Sequence, residues 1–113
     1  PLPLNRLELT KIGRFDFSEP DYNRFPALKL AYDVLELGGV AGAVYNAAKE
    51  VALDAFIARQ IGFLDMAEAV DRTLHRLFAG ACELNKEQNL DNILHADNMG
   101  RKIGREEIQA LSA

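Results

Sequence analysis

Residues 44–65, VYNAAKEVALDAFIARQIGFLD, decide how this chain is read. Val44, Ala47, Ala48, Val51, Ala55 and Phe56 recur at the three- and four-residue spacing of one helix face, which predicts a helix from about Gly42 to Gln60. Gly62 breaks it. Within that alanine-rich pattern lies a polar cluster, NAAKE. Asn46 and Glu50 are one helical turn apart, and Lys49 projects beside them. If that face lined a cleft, Glu50 would serve as a general base and Lys49 would hold an anion. Otherwise Asn46 and Glu50 hydrogen-bond to an adjacent loop, with Lys49 at the edge. The fastening is preferred, because buried polar groups anchor structure far more often than they catalyse alone.

Working outward, a preceding helix is expected to start near Pro26, where proline costs no backbone donor, and to stop before Gly38 and Gly39. Phe25, Leu28, Ala31, Tyr32 and Leu35 share its expected inner face. The stretch SEPDYNRFP ahead of it is turn-rich and reads as a loop. Beyond Gly62 a third helix is expected to open at Asp65, with Glu68 completing an aspartate form of the capping box. Its inner face is Met66, Ala69, Val70, Thr73, Leu74 and Leu77. Residues 79–90 lose the period and read as a loop. A last helix is expected over about Asp97 to Leu111, with Met99, Ile103, Ile108 and Leu111 inward. Gly100 and Gly104 lie one turn apart in it, and each costs about 1 kcal/mol of helix stability relative to alanine while allowing a neighbouring backbone to approach.

Before Pro26 the texture changes. Leu7 and Leu9, then Phe15 and Phe17, alternate with polar residues on either side of Gly13, the period-2 signature of short half-buried strands. Two such segments are marginal alone, so they are expected to lie against a sheet or another domain. The fold expected is mainly α: a small three- to four-helix bundle over residues 25–113, with residues 1–24 an extended linker arm containing the strand-like segments. Exposed Phe15 and Phe17 would favour association.

The composition limits the function. The chain has 113 residues, 49% hydrophobic and 27% charged, enough for one modest core. Seventeen acidic against 13 basic residues leave a net charge of −4, which speaks against nucleic acid as a partner. No apolar run reaches the roughly 20 residues of a membrane helix, and the N-terminus lacks a signal-peptide layout. One cysteine, Cys82, closes no internal disulfide, which fits a reducing, cytoplasmic setting. The opening PLPLN, without a methionine, suggests a piece of a longer protein.

Other candidate sites are thin. Asp71 with His75 and Asp91 with His95 have the i, i+4 spacing of helical metal ligands, but a zinc site needs three or four ligands and neither pair supplies them. GGVAG at Gly38–Gly42 precedes a helix N-terminus, where a phosphate can bind, yet it lacks the dinucleotide and P-loop patterns, and a helix-to-helix turn explains it more simply. A Cys82 nucleophile with a histidine base is no better than a guess on this sequence. Arg101, Lys102 and Arg105 read as solvated charge.

Taken in order, LELTKIGRFDF, SEPDYNRFPALKLAYDVLELGG, NAAKEVALDAFIARQIGFLDM and HADNMGRKIGREEI closely resemble the C-terminal part of 1-deoxy-D-xylulose 5-phosphate reductoisomerases. The corresponding family segments typically read LDLTKLG, RFPCLKLA, NAANEVAV and DANAREVARKE. The resemblance implies a homodimeric NADPH- and Mg- or Mn-dependent enzyme of non-mevalonate isoprenoid biosynthesis. Its nucleotide-binding and catalytic domains, metal ligands and substrate-phosphate residues lie upstream of the part matched here. It therefore implies no catalytic, cofactor-binding or metal residue in this chain, only a bracing domain fastened through Asn46, Lys49 and Glu50. Two departures stand out: Lys49 replaces the motif's asparagine, and Gly100 and Gly104 replace alanines, which predicts a less stable last helix.

Overall fold

A computed structural model describes residues 7–79 and 87–112, so Pro1, Pro3 and Cys82 lie outside the described residues. Among the described residues five helices follow in order: α1 Leu9–Ile12, α2 Pro26–Leu37, α3 Ala41–Ile57, α4 Phe63–Phe78 and α5 Leu90–Leu111.

The expected strand-like segments are not strands. Among the described residues there is no strand, and part of the first alternating run is the single turn α1, closed by Lys11 N–H on Glu8 O and Gly13 N–H on Leu9 O, both at 3.0 Å. With no second strand to complete a ladder, the backbone satisfies its own donors locally. Helix α1 buries no residue and packs on no other helix.

The loop before α2 is shaped by Asp21, whose Oδ1 accepts the N–H groups of Asn23 and Arg24 at 3.0 Å each. Pro26 then opens α2 as expected, and Gly38, at φ 62°, ends it in a conformation that favours glycine. The expected inner face of α2 is corrected. Leu30 and Val34 are buried, while Phe25, Leu28, Tyr32 and Leu35 are exposed and Ala31 is half-buried. The helix is apolar on two sides, and periodicity alone does not choose between them.

Helix α3 buries Ala41, Val44, Ala47, Ala48, Val51, Ala52 and Ala55, a face broad enough to meet α2, α4 and α5 at once. Phe56, expected inward, stays at the rim, edge-on to Phe63 with ring centroids 5.9 Å apart. Helix α4 starts earlier than Asp65. Its N-cap is Gly62, and Asp65 is the third helical residue, whose Oδ2 accepts the Gly62 N–H at 2.8 Å. Glycine has no side chain to return the bond, so only the acid's half of the capping box exists. Glu68 instead takes Arg72 Nε at 2.7 Å. The inner face of α4 is as expected, with Thr73 fully buried and its hydroxyl donating to Ala69 O at 2.7 Å. Helix α5 begins at Leu90 rather than Asp97, capped by Asn89, whose Oδ1 accepts the Asn92 N–H at 2.9 Å.

Helices α3 and α4 form an antiparallel hairpin, with α2 on one side and α5 on the other. A Cβ on Gly100 would lie 3.1 Å from both Val44 Cα and Ala47 Cβ, and one on Gly104 would lie 3.5 Å from Ala48 Cα. The numbers rise together, so α5 runs parallel to α3. Thr73 faces Gly104, and Leu111 shares a groove with Leu64 and Glu68, so α5 runs antiparallel to α4.

Candidate functional site

Asn46 and Glu50 of NAAKE lie exposed on the flank of α3 that meets α5, while Ala47 and Ala48 between them are buried. Asn46 Nδ2 donates to Glu50 Oε1 at 3.0 Å, one turn apart on the helix. The other carboxylate oxygen, Oε2, accepts from Arg101 Nη2 at 2.6 Å. Arg101 also donates Nε to Asp97 Oδ2 at 2.8 Å and Nη2 to Asp97 Oδ1 at 3.2 Å. The guanidinium therefore bridges two carboxylates on two helices with the planar fork that arginine alone provides. Arg101 first, and then Asn46, hold the Glu50 carboxyl below its usual range. Asp97 and then Glu50 hold the Arg101 guanidinium charged well beyond its ordinary range.

Two expectations are corrected here. Among the described residues, Asn46 and Glu50 bond to each other and, through Arg101, to the neighbouring helix rather than to a loop. Arg101 is not free surface charge but the centre of the cluster, while Lys102 and Arg105 are exposed as expected. Lys49 takes no part: its ammonium lies 6.0 Å from the Tyr45 ring centroid. Chemically, both oxygens of Glu50 are engaged and the carboxyl is held ionised, which suits a fastening and not a proton-accepting base tuned near neutrality.

The sequence signal for Arg101 was present in its four-residue spacing from Asp97; its link to Glu50, 51 residues away, was not. A second cross-helix tie was equally hidden: Arg76 donates to Glu107 at 2.7 Å and to Glu106 at 2.9 Å, joining α4 to α5.

The remaining candidates gather no further chemistry. His75 Nδ1 lies 3.1 Å from Asp71 O and 3.2 Å from Asp71 Oδ1, a pairing local to α4. His95 and Asp91 are exposed on the first turns of α5. Among the described residues, no three potential metal ligands converge. At Gly38–Gly42 the N–H groups of Ala41, Ala43 and Val44 bond to Gly38 O or Val40 O, and Gln88 Nε2 donates to Gly39 O at 2.8 Å, so the segment is a braced turn. Among the described residues no helix is long and apolar enough to cross a membrane.

Comparison with known proteins bears on the family and the fold. A family profile described as DXP reductoisomerase C-terminal domain matches residues 2–103. The 1-deoxy-D-xylulose 5-phosphate reductoisomerase of Jannaschia sp. (strain CCS1) is 43% identical over 102 residues, which is 90% of this chain and 26% of that protein. That of Rhizobium meliloti (strain 1021) is 45% identical over 108 residues, 96% of this chain and 27% of the relative. The solved 1-deoxy-D-xylulose 5-phosphate reductoisomerase from Zymomonas mobilis in complex with NADPH is similar over 98% of this chain and 28% of its own, with a TM-score of 0.80 and 37% identity. The chain thus spans about a quarter of the length of the relatives it matches. By sequence over nearly all its length and by fold, it belongs to the DXP reductoisomerase C-terminal domain family.

Proposed function

We propose that this chain is the bracing C-terminal domain of an NADPH- and divalent-metal-dependent 1-deoxy-D-xylulose 5-phosphate reductoisomerase. Such an enzyme rearranges the carbon skeleton of its substrate and reduces the product to 2-C-methyl-D-erythritol 4-phosphate. The observation that carries this reading is the asymmetry of the match: 96% of this chain corresponds to 27% of a reductoisomerase. For the metal and the dinucleotide, no three potential ligands converge among the described residues, and the Gly38, Gly39 and Val40 carbonyls of GGVAG accept hydrogen bonds within the chain. Those groups, and the reacting atoms with them, belong to the upstream domains in this reading.

The domain's own part is mechanical. Asn46 and Glu50 tie α3 to α5 through Arg101, and Arg76 ties α4 to α5, so that the three helices present a fixed surface to the rest of a homodimeric, cytoplasmic enzyme. The test is an NADPH-oxidation assay with 1-deoxy-D-xylulose 5-phosphate and manganese, run on this chain and on the full reading frame containing it. Activity is expected only in the longer protein. Turnover by the chain alone would overturn the bracing role, and inactivity of both would favour an independent helical interaction module derived from the same domain.

A further inference from the structure

Helix α2 carries two apolar stripes, and the bundle uses one. Leu30 and Val34 go inward. Phe25, Leu28, Tyr32 and Leu35, spaced by three and four residues along the other side, remain 55, 40, 53 and 76% exposed. A helix at the edge of a self-sufficient bundle shows polar residues on its outer side, whereas a continuous row of large apolar side chains marks a surface that another body covers.

Two observations point to the body. Tyr22, in the segment leading into α2, lies edge-on to Tyr32 with ring centroids 6.5 Å apart, so the incoming chain runs along this side of the helix. The family match places the chain at the C-terminal end of proteins of which it spans 26%, so the bulk of such a protein precedes that segment. A body tethered next to the stripe meets it at an effective concentration near millimolar, and a modest apolar contact then suffices to hold the two together.

Resting on the reductoisomerase reading, we propose that the outer face of α2 is the surface on which the upstream part of the same polypeptide docks, with Phe25, Leu28, Tyr32 and Leu35 entering an apolar patch on it. A second copy of this chain is the competing occupant.

The experiment compares Leu28→Glu with Leu35→Glu and with the control Ile57→Glu, an exposed apolar residue on α3 away from the stripe. Each is made in the full-length protein and in this chain. Circular dichroism of the short versions checks that helicity is kept; the milder Tyr32→Ser replaces any variant that loses it. In the full-length protein the readout is the rate at which a protease cuts within residues 13–24. The stripe variants are expected to be cut at least tenfold faster than wild type, with the control unchanged. Equal rates for stripe variants and wild type overturn the docking. If the short wild-type chain dimerises in sedimentation, Leu35→Glu abolishes that, and full-length cleavage does not change, the occupant is a second copy and the proposal fails. Activity of the wild-type full-length enzyme is measured beside cleavage: inactivity removes the reductoisomerase reading, while the cleavage comparison still decides the docking.

Discussion

Gly100 and Gly104 show what a single missing methyl does at a helix crossing. A Cβ on Gly100 would meet Val44 O at 3.0 Å, with Ala47 Cβ and Val44 Cα at 3.1 Å, and one on Gly104 would meet Val51 Cγ2 at 2.8 Å. The neighbours are backbone and a stiff β-branched side chain, so neither yields without moving a helix. Alanine recovers about 1 kcal/mol of helix propensity, against about 1–3 kcal/mol for overpacking. Gly100→Ala and Gly104→Ala are each expected to lower stability by about 1 kcal/mol net, measured by urea unfolding. At Glu50 the charge state is the lever. Its folded carboxyl titrates below the ordinary 4.5 because Arg101 and then Asn46 favour the ionised form. The stabilisation is complete above the unfolded value and disappears as pH falls through the lower folded one. Melting temperatures of wild type and Glu50→Gln should therefore differ at neutral pH and converge on acidification below pH 4.5; a difference independent of pH would contradict this origin. Asn46 and Glu50 were legible as a pair because their spacing is local. That their partner is Arg101 was not, since it depends on which helix packs alongside.

The helices themselves were legible where local chemistry sets them and blurred where it does not. Pro26 and Gly38 bound α2 because each acts on its own backbone. The start of α5 at Asn89 is not legible in the periodicity, because Leu90, Ile93 and Leu94 stay exposed and do not extend the inward stripe. The cap is nevertheless real, and Asn89→Ala should cost about 1 kcal/mol and fray the first turn, read as faster amide exchange at Asn92. At the other end of α3, Arg59 is the one non-glycine residue with positive φ, 59°, among those described. It ends the helix with its N–H on Phe56 O, while Gln60 N–H reaches Ala55 O. Left-handed backbone disfavours any residue with a Cβ, so Arg59→Gly should raise stability by about 0.5–1 kcal/mol after allowing for glycine's greater unfolded-state freedom. A lower melting temperature would mean that the Arg59 side chain makes a contribution larger than the strain. The inner face of α2 is not legible for a different reason: both its sides satisfy the helical period, and burial by α3 and α4 selects Leu30 and Val34.

At the scale of the whole molecule, the order of motifs revealed more than any of them singly, because the order reflects the family while each motif reflects only its own turn or helix. The alternation of Leu7, Leu9, Phe15 and Phe17 misled, since a strand exists only with a partner and the described residues offer none. Since α1 buries nothing and touches no other helix, removing residues 1–20 is expected to leave the unfolding free energy within about 0.5 kcal/mol of the intact chain. A larger loss by denaturant titration would show that the arm folds back on the bundle. The parallel course of α3 and α5 carries a kinetic consequence. Neighbouring helices that run antiparallel meet as soon as their loop closes, but α3 and α5 touch only after α4 has carried the chain back, and Glu50 and Arg101 are 51 residues apart. Such a contact has a high loop-closure entropy and forms late. During synthesis the alanine face of α3 therefore stays wet until the region around Gly100–Ile108 has left the ribosome, so a chain interrupted just short of α5 exposes its most closely packed seam.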